Sequence, residues 1–254
     1  MTQKLDIIDI NCDLGEGEDI EDCAQDALLM PYISRCNIAC GGHAGNSLTM
    51  HQSLLNAKQH QLLVGAHPSY ADRENFGRLS LECDWSQLSE MIIEQVEQLI
   101  FIAAKTETKL SHIKLHGALY HDIEKNPSLA EQYVLMVKQH FPNLEILGLA
   151  NGEVSNACNR HEVPFISEGF IDRAYTNQGQ LVPRAQPGAV YDEPQNAITQ
   201  AISFAKKQPI HSIDNQPCHI HVDSLCLHSD TPNALQFAKA LHAALIAKDM
   251  SCQD

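Results

Sequence analysis

The sequence predicts an α/β fold built as a barrel of parallel βα units. Short β-branched apolar runs alternate along the chain with longer segments of helical period, and polar side chains recur where those runs end. The length of 254 residues agrees, because a single α/β barrel commonly takes about 250 residues. No repeat, low-complexity tract or linker-like change in composition divides the chain, so we expect one domain over residues 1–254.

Short apolar runs are predicted to form the barrel strands. They are residues 7–10, 37–40, 62–66, 112–115, 145–150, 164–170 and 224–227. The clearest helical period lies between them in residues 86–105, where apolar side chains recur at three- and four-residue steps. Those side chains are Leu88, Ile92, Val96, Leu99 and Ala103.

Prolines mark the starts of further helices. Residues 127–140 and 194–207 each begin with proline, and Thr231-Pro232 opens the final helix. A proline in the first helical turn sacrifices no hydrogen bond, which favours these starts. Residues 172–192 contain glycines and prolines without any period and are too long for a simple connection, so we expect an active-site loop there.

Charge and cysteine usage exclude several classes of function. The net charge of −15 would repel nucleic-acid phosphates and anionic lipids, so we expect neither nucleic acid nor a membrane as a partner. Nine cysteines are scattered without a CxxC pair, and Asp6 and Asp9 interrupt the apolar stretch near the N-terminus. We therefore expect a reduced, cytoplasmic protein without a signal peptide or a membrane span.

Polar residues at the predicted strand ends form the strongest functional signal. The carboxyl ends of parallel barrel strands share one rim, and the active sites of such barrels are built there. We expect the rim to bring together Asn11, Asp13, Glu16, His43, His67, Lys114, His116, Glu168, Asp172, His228 and Asp230. A single polar residue at such a position would more often cap a helix or stabilise a turn. Their recurrence at equivalent positions of successive strands indicates a functional site.

The residue types at this rim suggest two kinds of chemistry. Lys114 and His116 are two positions apart, so on a strand they share one face, and together they can bind an anionic or polarised oxygen. A structural ion pair of Lys114 with a carboxylate remains the alternative. Asp13, His43 and His67 combine oxygen and imidazole ligands suited to a divalent metal, although their spacing matches no fixed metal motif.

Other motifs narrow the reaction class. Arg73, Arg78, Arg173 and Arg184 lie in turn-rich segments, and we expect some of them to hold an anion. Cys40 could act as a nucleophile beside His43, although packing explains a buried cysteine more simply. The sequence contains neither a GxxxxGK[ST] phosphate loop nor a GxSxG elbow. Residue patterns alone therefore lead to a hydrolase or lyase with its site at the barrel rim.

A series of longer motifs covers nearly the whole chain in order. They are DINCDLGEG at 9–17, NIACGGHAGN at 37–46, VGAHPSYAD at 64–72, FGR at 76–78, IKLHGALY at 113–120, DRAY at 172–175, LVPR at 181–184, GAV at 188–190 and LHSDTP at 227–232. Through these motifs the chain resembles the LamB/YcsF family, the family of the A-type subunits of bacterial ATP-dependent 5-oxoprolinase.

The resemblance implies both a fold and an activity. The fold would be a deviant seven-stranded (β/α) barrel of the polysaccharide deacetylase-like architecture. The activity would be cytoplasmic opening of 5-oxoproline to L-glutamate, coupled to hydrolysis of ATP to ADP and phosphate. The chain would act in a complex with 5-oxoprolinase subunits B and C, and Mg²⁺ would accompany the ATP.

Roles for the rim residues follow from that resemblance as a hypothesis. The expected catalytic residues are Asp13, His43, Lys114 and His116. The expected substrate- or phosphate-binding residues are Asn11, His67, Arg78, Arg173, Arg184, His228 and Asp230. Asp13, as a base or a metal ligand, would join His43 and His67 if a divalent metal is bound, while Lys114 and Arg184 would bind the anion.

Five positions depart from the usual motifs of the family, and two of them are Gly42, in place of a phenylalanine, and Leu115, in place of a proline. The other three are Asn46 for an aspartate, Leu79 for an arginine and Ser229 for a glycine. The changes at Asn46 and Leu79 would alter nucleotide or metal handling. Two alternatives therefore stay open at the sequence level. One is a metal-dependent deacetylase or amidohydrolase that works without ATP, and the other is a non-catalytic lactam-binding paralogue.

Overall fold

A closed barrel of parallel strands forms the centre of the computed structural model, which describes residues 6–191, 193–229, 234–248 and 250–252. The strands are β1 (Asp6–Ile7), β2 (Asp9–Leu14), β3 (Arg35–Ala39), β4 (Leu63–His67), β5 (Leu110–Ile113), β6 (Glu145–Leu149), β7 (Phe165–Phe170), β8 (Ile210–His211), β9 (Pro217–Cys218), β10 (Ser224–Leu227) and β11 (Met250–Ser251). Strands β2 to β7 follow one another around the barrel, and β10 closes it between β7 and β2. The predicted seven-stranded β/α barrel is confirmed.

Helices connect the strands and cover the barrel. They are α1 (Ile20–Ala27), α2 (Ser47–Gln59), α3 (Trp85–Lys105), α4 (Gly117–Lys125), α5 (Pro127–His140), α6 (Glu153–His161), α7 (Pro194–Ala205) and α8 (Ala234–Ile246). The predicted apolar face of α3 is buried along its length, and α5 and α7 begin at the predicted prolines. The predicted helix start at Thr231-Pro232 lies outside the described residues. Among the helices that are described, none combines the length and the apolar character needed to cross a membrane.

The first barrel strand corrects the sequence prediction. The predicted strand ends at residue 10, whereas β2 continues to Leu14, so Asn11 and Asp13 lie within the strand rather than after it. The reason is that Asp9, Asn11 and Asp13 alternate with apolar residues and turn their side chains into the barrel. In the sequence, polar residues on the inward face of a strand look the same as polar residues that follow the end of a strand.

Four other strand ends also differ from the prediction, and those of β4 and β5 lie next to predicted site residues. His67 is the last residue of β4, whereas β5 stops at Ile113 and leaves Lys114 and His116 just beyond it.

Residues 172–191 contain no helix or extended strand, and isolated antiparallel bridges at Arg173–Val190 and Tyr175–Leu181 hold the segment against itself. The expectation of a long irregular loop after β7 is therefore confirmed for the described residues.

The inside of the barrel contains a hydrogen-bonded polar network. At the amino ends of the strands, the Arg35 guanidinium donates to the Asp9 carboxylate at 2.9 Å. Towards the carboxyl ends, Asn37 Nδ2 donates to Asn11 Oδ1 at 2.9 Å and to Asp13 Oδ1 at 2.7 Å, while His112 Nε2 donates to Asn37 Oδ1 at 2.7 Å. Because buried polar groups cost free energy unless they are paired, this network fixes the side chains beneath the rim.

Candidate active site

A cavity of about 340 Å³ opens at the carboxyl ends of the barrel strands. The lining residues that carry titratable or aromatic side chains are Asp13, Glu16, His67, Phe76, Arg78, Lys114, His116, Tyr120, His121, Phe170, Arg173, Arg184 and His228. They come from β2, β4, β7 and the segments that follow β2, β4, β5, β7 and β10. This is the rim at which parallel barrels build their active sites.

Lys114 lies at the centre of a buried ion-pair group that we call the lysine triad, formed by Lys114, Asp13 and Glu168. Its Nζ is 2.9 Å from Asp13 Oδ1 and 2.8 Å from Glu168 Oε1. Nζ also donates to Asn11 Oδ1 at 3.1 Å, and Tyr120 Oη donates to Glu168 Oε2 at 3.0 Å. Lys114 is only 3% exposed, so these contacts hold its ammonium group in one position.

The surroundings of Lys114 and Asp13 shift the pKa values of these two side chains. Burial by itself would lower the pKa of Lys114, but the charges around it, Asp13 and Glu168 among them, outweigh burial and raise that pKa well above its ordinary value. Burial likewise opposes ionisation of Asp13, yet His67 and Lys114 bring its pKa well below the usual range. The triad therefore keeps an ammonium and a carboxylate charged at neutral pH.

Glu16, His43, His67 and His116 form a second group, which we call the histidine cluster. One potential metal-ligand atom from each residue lies within 4.8 Å of the others, so the cluster could hold a metal ion. The His43 and His116 rings stack with centroids 3.6 Å apart, and His43 Nε2 lies 3.0 Å from Glu16 Oε1. The cluster contains two of the three predicted metal ligands, His43 and His67, and adds Glu16 and His116.

Burial favours the neutral imidazole form in two members of the histidine cluster. For His43, burial and then the neighbouring His67 lower the pKa to about 2. For His116, burial followed by His67 and His43 lowers the pKa to about 3. Neutral imidazoles keep a nitrogen lone pair, which is the form required of a metal ligand.

His228 and Asp172 form a dyad on another side of the cavity. His228 Nδ1 lies 2.9 Å from Asp172 Oδ2, and His228 Nε2 is 4.0 Å from the buried Cys226 Sγ. Burial would lower the pKa of His228, but the hydrogen bond and charge of Asp172 raise it above its ordinary value. An imidazole oriented by a carboxylate is suited to proton transfer near neutral pH.

The three arginines of the cavity differ in what they contact. Arg173 is buried, and its guanidinium donates to the backbone oxygens of Ala189 and Val182, so it also ties together the loop at residues 172–191. Arg78 and Arg184 are exposed, and the Arg78 guanidinium lies 5.0 Å from the Phe76 ring centroid. Arg184 is therefore the arginine of the long loop whose charge is accessible to an anion from solvent.

Some predicted site residues lie outside the cavity wall. Asn11 is 0% exposed and contacts Lys114 from below, while the side chain of His43 lies behind Glu16 and His116. Cys40 is also buried, and burial raises the pKa of its thiol to about 12, which favours packing over nucleophilic attack. Asp230 lies outside the described residues.

The departures from the family motifs occupy different environments. Asn46 caps α2 by accepting from the Leu48 and Thr49 amides, a role that asparagine and aspartate fill about equally well. Leu79 is 54% exposed and does not line the cavity. Ser229 does line it and donates from Oγ to the backbone oxygen of Asp13 at 2.7 Å. Ser229 is thus in direct contact with the site, as is Leu115, which also lines the cavity.

Several functional contacts do not follow from the sequence pattern. Glu16, Glu168 and Asp172 are expected at the rim, but their partners His43, Lys114 and His228 emerge only from the structure. Tyr120 belongs to a motif without an expected role, although it faces the cavity and donates to Glu168. Its position in α4, directly after the segment that carries Lys114 and His116, is the signal that could have identified it.

Comparisons with known proteins agree with this architecture. The model of the LamB/YcsF family matches residues 8–254. A protein from Erwinia tasmaniensis that is named as the A subunit of 5-oxoprolinase is 41% identical over 237 residues, which cover 93% of this chain and 95% of that protein. The crystal structure of a lactam utilization protein from Thermus thermophilus superposes with a TM-score of 0.91 at 28% identity, covering 97% of this chain and 99% of that one.

Proposed function

The chain belongs to the LamB/YcsF family, and from this premise we propose that it is the A-type subunit of an ATP-dependent 5-oxoprolinase. In this role it opens the lactam ring of 5-oxoproline to give L-glutamate in the cytoplasm. The proposed complex contains subunits B and C and hydrolyses ATP, which enters with Mg²⁺, to ADP and phosphate.

The lysine triad is the observation that carries this proposal. It places a fixed ammonium group at the wall of a cavity of about 340 Å³, where a lactam oxygen or a phosphoryl oxygen can be bound. Preorganised charges of this kind stabilise the negative charge that develops as an amide is activated. A surface ion pair could not do this, because solvent would screen it.

The chemistry requires an activated lactam because resonance stabilises the amide bond. Transfer of the γ-phosphoryl group from ATP to the lactam oxygen releases ADP and makes the ring carbon a better electrophile. One water then adds to that carbon, the C–N bond breaks and the ring nitrogen takes a proton. A second water cleaves the resulting acyl phosphate, giving glutamate and phosphate.

The cations of the cavity are assigned to oxygen binding. The charge of Lys114 stabilises the developing oxyanion, and the exposed Arg184 and Arg78 bind phosphoryl oxygens. Asp13 is assigned to positioning Lys114 rather than to proton abstraction, since a carboxylate with a strongly lowered pKa is a weak base. His67 and His116 line the same cavity and orient polar groups bound there.

His228 is assigned as the group that moves protons. Asp172 accepts from its Nδ1, and Nε2 is assigned as the nitrogen that takes a proton from water. After C–N cleavage, the same imidazolium can return the proton to the ring nitrogen. The raised pKa of His228 suits this exchange, because a proton carrier works best when its pKa lies near the working pH.

Reconstitution with subunits B and C tests the proposed function. We expect the purified complex to form L-glutamate from 5-oxoproline only when both ATP and this chain are present. Glutamate is measured by chromatography and ADP by a coupled assay, and size-exclusion chromatography verifies that the three subunits assemble. Complexes lacking this chain, and reactions lacking ATP, are the matched controls.

Two outcomes of that assay would contradict the proposal. No glutamate from a verified complex would favour the lactam-binding paralogue, and direct 5-oxoproline binding would then distinguish it. Glutamate formed equally well without ATP would favour the metal-dependent amidohydrolase, a candidate that the histidine cluster supports.

Replacing Asp172 with asparagine should shift the pH dependence of turnover. Asp172 raises the pKa of His228, so its loss lowers that pKa and keeps His228 neutral at lower pH. If neutral His228 is the base, the acidic limb of the kcat profile moves to lower pH. We expect kcat at its optimum to fall by about 10²–10⁴-fold, because the imidazole loses its orientation.

Asp122 provides the matched control for this variant. Its carboxylate accepts from Tyr70 Oη at 3.1 Å and does not line the cavity, so Asp122→Asn should leave the pH profile in place. An acidic limb that stays fixed in Asp172→Asn, or moves to higher pH, would show that His228 is not the base. The comparison requires pH profiles of the two complexes under the same conditions.

A further inference from the structure

The histidine cluster contains two imidazole nitrogens whose hydrogens are fixed by backbone oxygens. His67 Nδ1 lies 2.8 Å from the backbone oxygen of Lys114, and His116 Nε2 lies 2.9 Å from that of Phe76. A carbonyl oxygen only accepts, so each of these ring nitrogens carries a hydrogen. In the neutral rings, the lone pairs are therefore on His67 Nε2 and His116 Nδ1.

These two lone pairs face each other at 3.0 Å. Two neutral rings cannot donate across this gap, so the contact needs a positive charge, either a second ring hydrogen or a metal ion between or beside the nitrogens. Two carboxylate oxygens add to the concentration of acceptors: Glu16 Oε1 is 3.5 Å from His116 Nδ1, and Asp13 Oδ2 is 3.4 Å from His67 Nε2. The arrangement is one that a positive ion would stabilise.

The spacing of the donors also fits a metal. Two ligands that are each about 2.0–2.1 Å from one tetrahedral ion are separated by about 3.4 Å. The separations of 3.0 Å between His67 Nε2 and His116 Nδ1 and of 3.5 Å between His116 Nδ1 and Glu16 Oε1 are close to that value. The carbonyl contacts of both rings are the supporting hydrogen bonds that orient metal-binding histidines.

We propose that His67 Nε2, His116 Nδ1 and Glu16 Oε1 bind one divalent transition-metal ion at the wall of the cavity. Mixed imidazole and carboxylate ligands favour Zn²⁺ or a neighbouring transition metal over Mg²⁺, which prefers oxygen ligands alone. Because His67, His116 and Glu16 all line the cavity, the ion would be open to an oxygen atom of a bound molecule.

His43 is a positioning residue in this arrangement. Its Nδ1 is buried without a hydrogen-bond partner among the described residues, whereas its Nε2 lies 3.0 Å from Glu16 Oε1. Since an unpaired buried N–H is costlier than an unpaired lone pair, the hydrogen belongs on Nε2. His43 thus donates to Glu16 and holds that carboxylate towards His67 and His116.

Metal titration of the full chain tests the site without substrate, ATP or partner subunits. The chain is stripped with a chelator and titrated with Zn²⁺ by calorimetry and with Co²⁺ by visible absorption, which reports the coordination geometry. We expect one ion per chain, and a melting temperature that rises with Zn²⁺ because the ion binds the folded state. Mg²⁺ at the same concentrations should produce neither effect.

Variants locate the bound ion. His116→Gln and Glu16→Gln should each weaken Zn²⁺ binding by at least about 100-fold, while His140→Gln, at an exposed position on α5, should bind Zn²⁺ like the unaltered chain. Glu16 is only partly buried in a loop after β2, so its variant keeps the test valid even if His116→Gln does not fold. Absence of stoichiometric binding by the unaltered chain, or unchanged binding by folded Glu16→Gln, would overturn the proposal.

The metal proposal and the proposed lactam chemistry can each be contradicted without contradicting the other. Metal binding is measured on the isolated chain, whereas glutamate formation is measured on the three-subunit complex. A chain that binds Zn²⁺ at this site in a complex that makes no glutamate would retain the metal site and contradict only the oxoprolinase function.

Discussion

Replacing Lys114 with methionine should lower kcat of the proposed oxoprolinase complex by about 10²–10³-fold, the cost of removing one preorganised charge from an active site. Methionine keeps an unbranched side chain of similar length but supplies neither charge nor hydrogen-bond donors. The measurement is glutamate formed per assembled complex at saturating 5-oxoproline and ATP. Turnover near that of the unaltered complex would show that Lys114 does not stabilise the reacting oxygen.

The same replacement should also destabilise the fold. Loss of the ammonium leaves the carboxylates of Asp13 and Glu168 without their shared cation, and Glu168 is 0% exposed. Breaking a buried ion pair from one side commonly costs about 3–5 kcal/mol. Loss of activity in Lys114→Met alone therefore does not separate a chemical role from a structural one.

A double variant separates these two roles. Glu168→Gln removes one of the unpaired charges, and its amide oxygen can still accept from Tyr120 Oη. In Lys114→Met with Glu168→Gln, we expect the free energy of unfolding to recover in part, as measured with urea, while kcat stays low. Recovery of turnover together with stability would mean that Lys114 serves the fold and that another group performs the chemistry.

The rim was predictable because its geometry follows from strand polarity. Parallel strands place their carboxyl ends together, so residues far apart in sequence, such as Asp13, His67 and Lys114, were expected to meet. The structure brings Lys114 Nζ within 2.9 Å of Asp13 Oδ1 and His67 Nε2 within 3.4 Å of Asp13 Oδ2. The pattern of apolar runs was sufficient for this step.

The choice of partner within the rim was not predictable. Period-two alternation shows which residues share a strand face, but it does not show which side chain across the barrel meets them. Lys114 pairs with Glu168 from β7, and His112 bonds to Asn37 from β3. These contacts depend on how the barrel closes and on side-chain length, neither of which a local pattern records.

The polar interior also explains the misplaced end of the first strand. Hydrophobic patterning assumes that an inward face is apolar, whereas the inward face of β2 carries Asp9, Asn11 and Asp13. Their burial is stabilised by partners such as Arg35 and Lys114, which lie much later in the sequence. The local sequence pattern of a strand whose buried face is polar therefore predicts a loop, even though its side chains are paired across the barrel.

Replacing Gly117 with alanine should lower the free energy of unfolding by about 2–5 kcal/mol and impair the site. Gly117 has φ of +57°, a conformation that costs an alanine about 1–2 kcal/mol. A Cβ there would also lie 2.5 Å from the backbone oxygen of Gly77, and such overpacking commonly costs about 1–3 kcal/mol. Urea unfolding measures the total change.

Gly188→Ala is the matched control because it shares the backbone cost without the collision. Gly188 has φ of +79°, and the nearest heavy atom to an added Cβ, Cδ1 of Ile213, is 3.9 Å away. The difference in unfolding free energy between the two variants therefore isolates the steric conflict with Gly77. Equal losses in the two variants would contradict that conflict.

The steric conflict at Gly117 should also weaken Zn²⁺ binding, because it disturbs the orientation of the His116 ring. Gly77 O accepts from the Ala118 amide, and the preceding residue, Phe76, provides the oxygen that fixes the His116 ring. An alanine at 117 pushes this segment away from α4, so His116 loses the contact that sets its tautomer. We therefore expect Gly117→Ala to weaken Zn²⁺ binding as well as stability, whereas Gly188→Ala should reduce stability alone. Unchanged Zn²⁺ affinity in folded Gly117→Ala would show that the Phe76 carbonyl does not orient His116 for the metal.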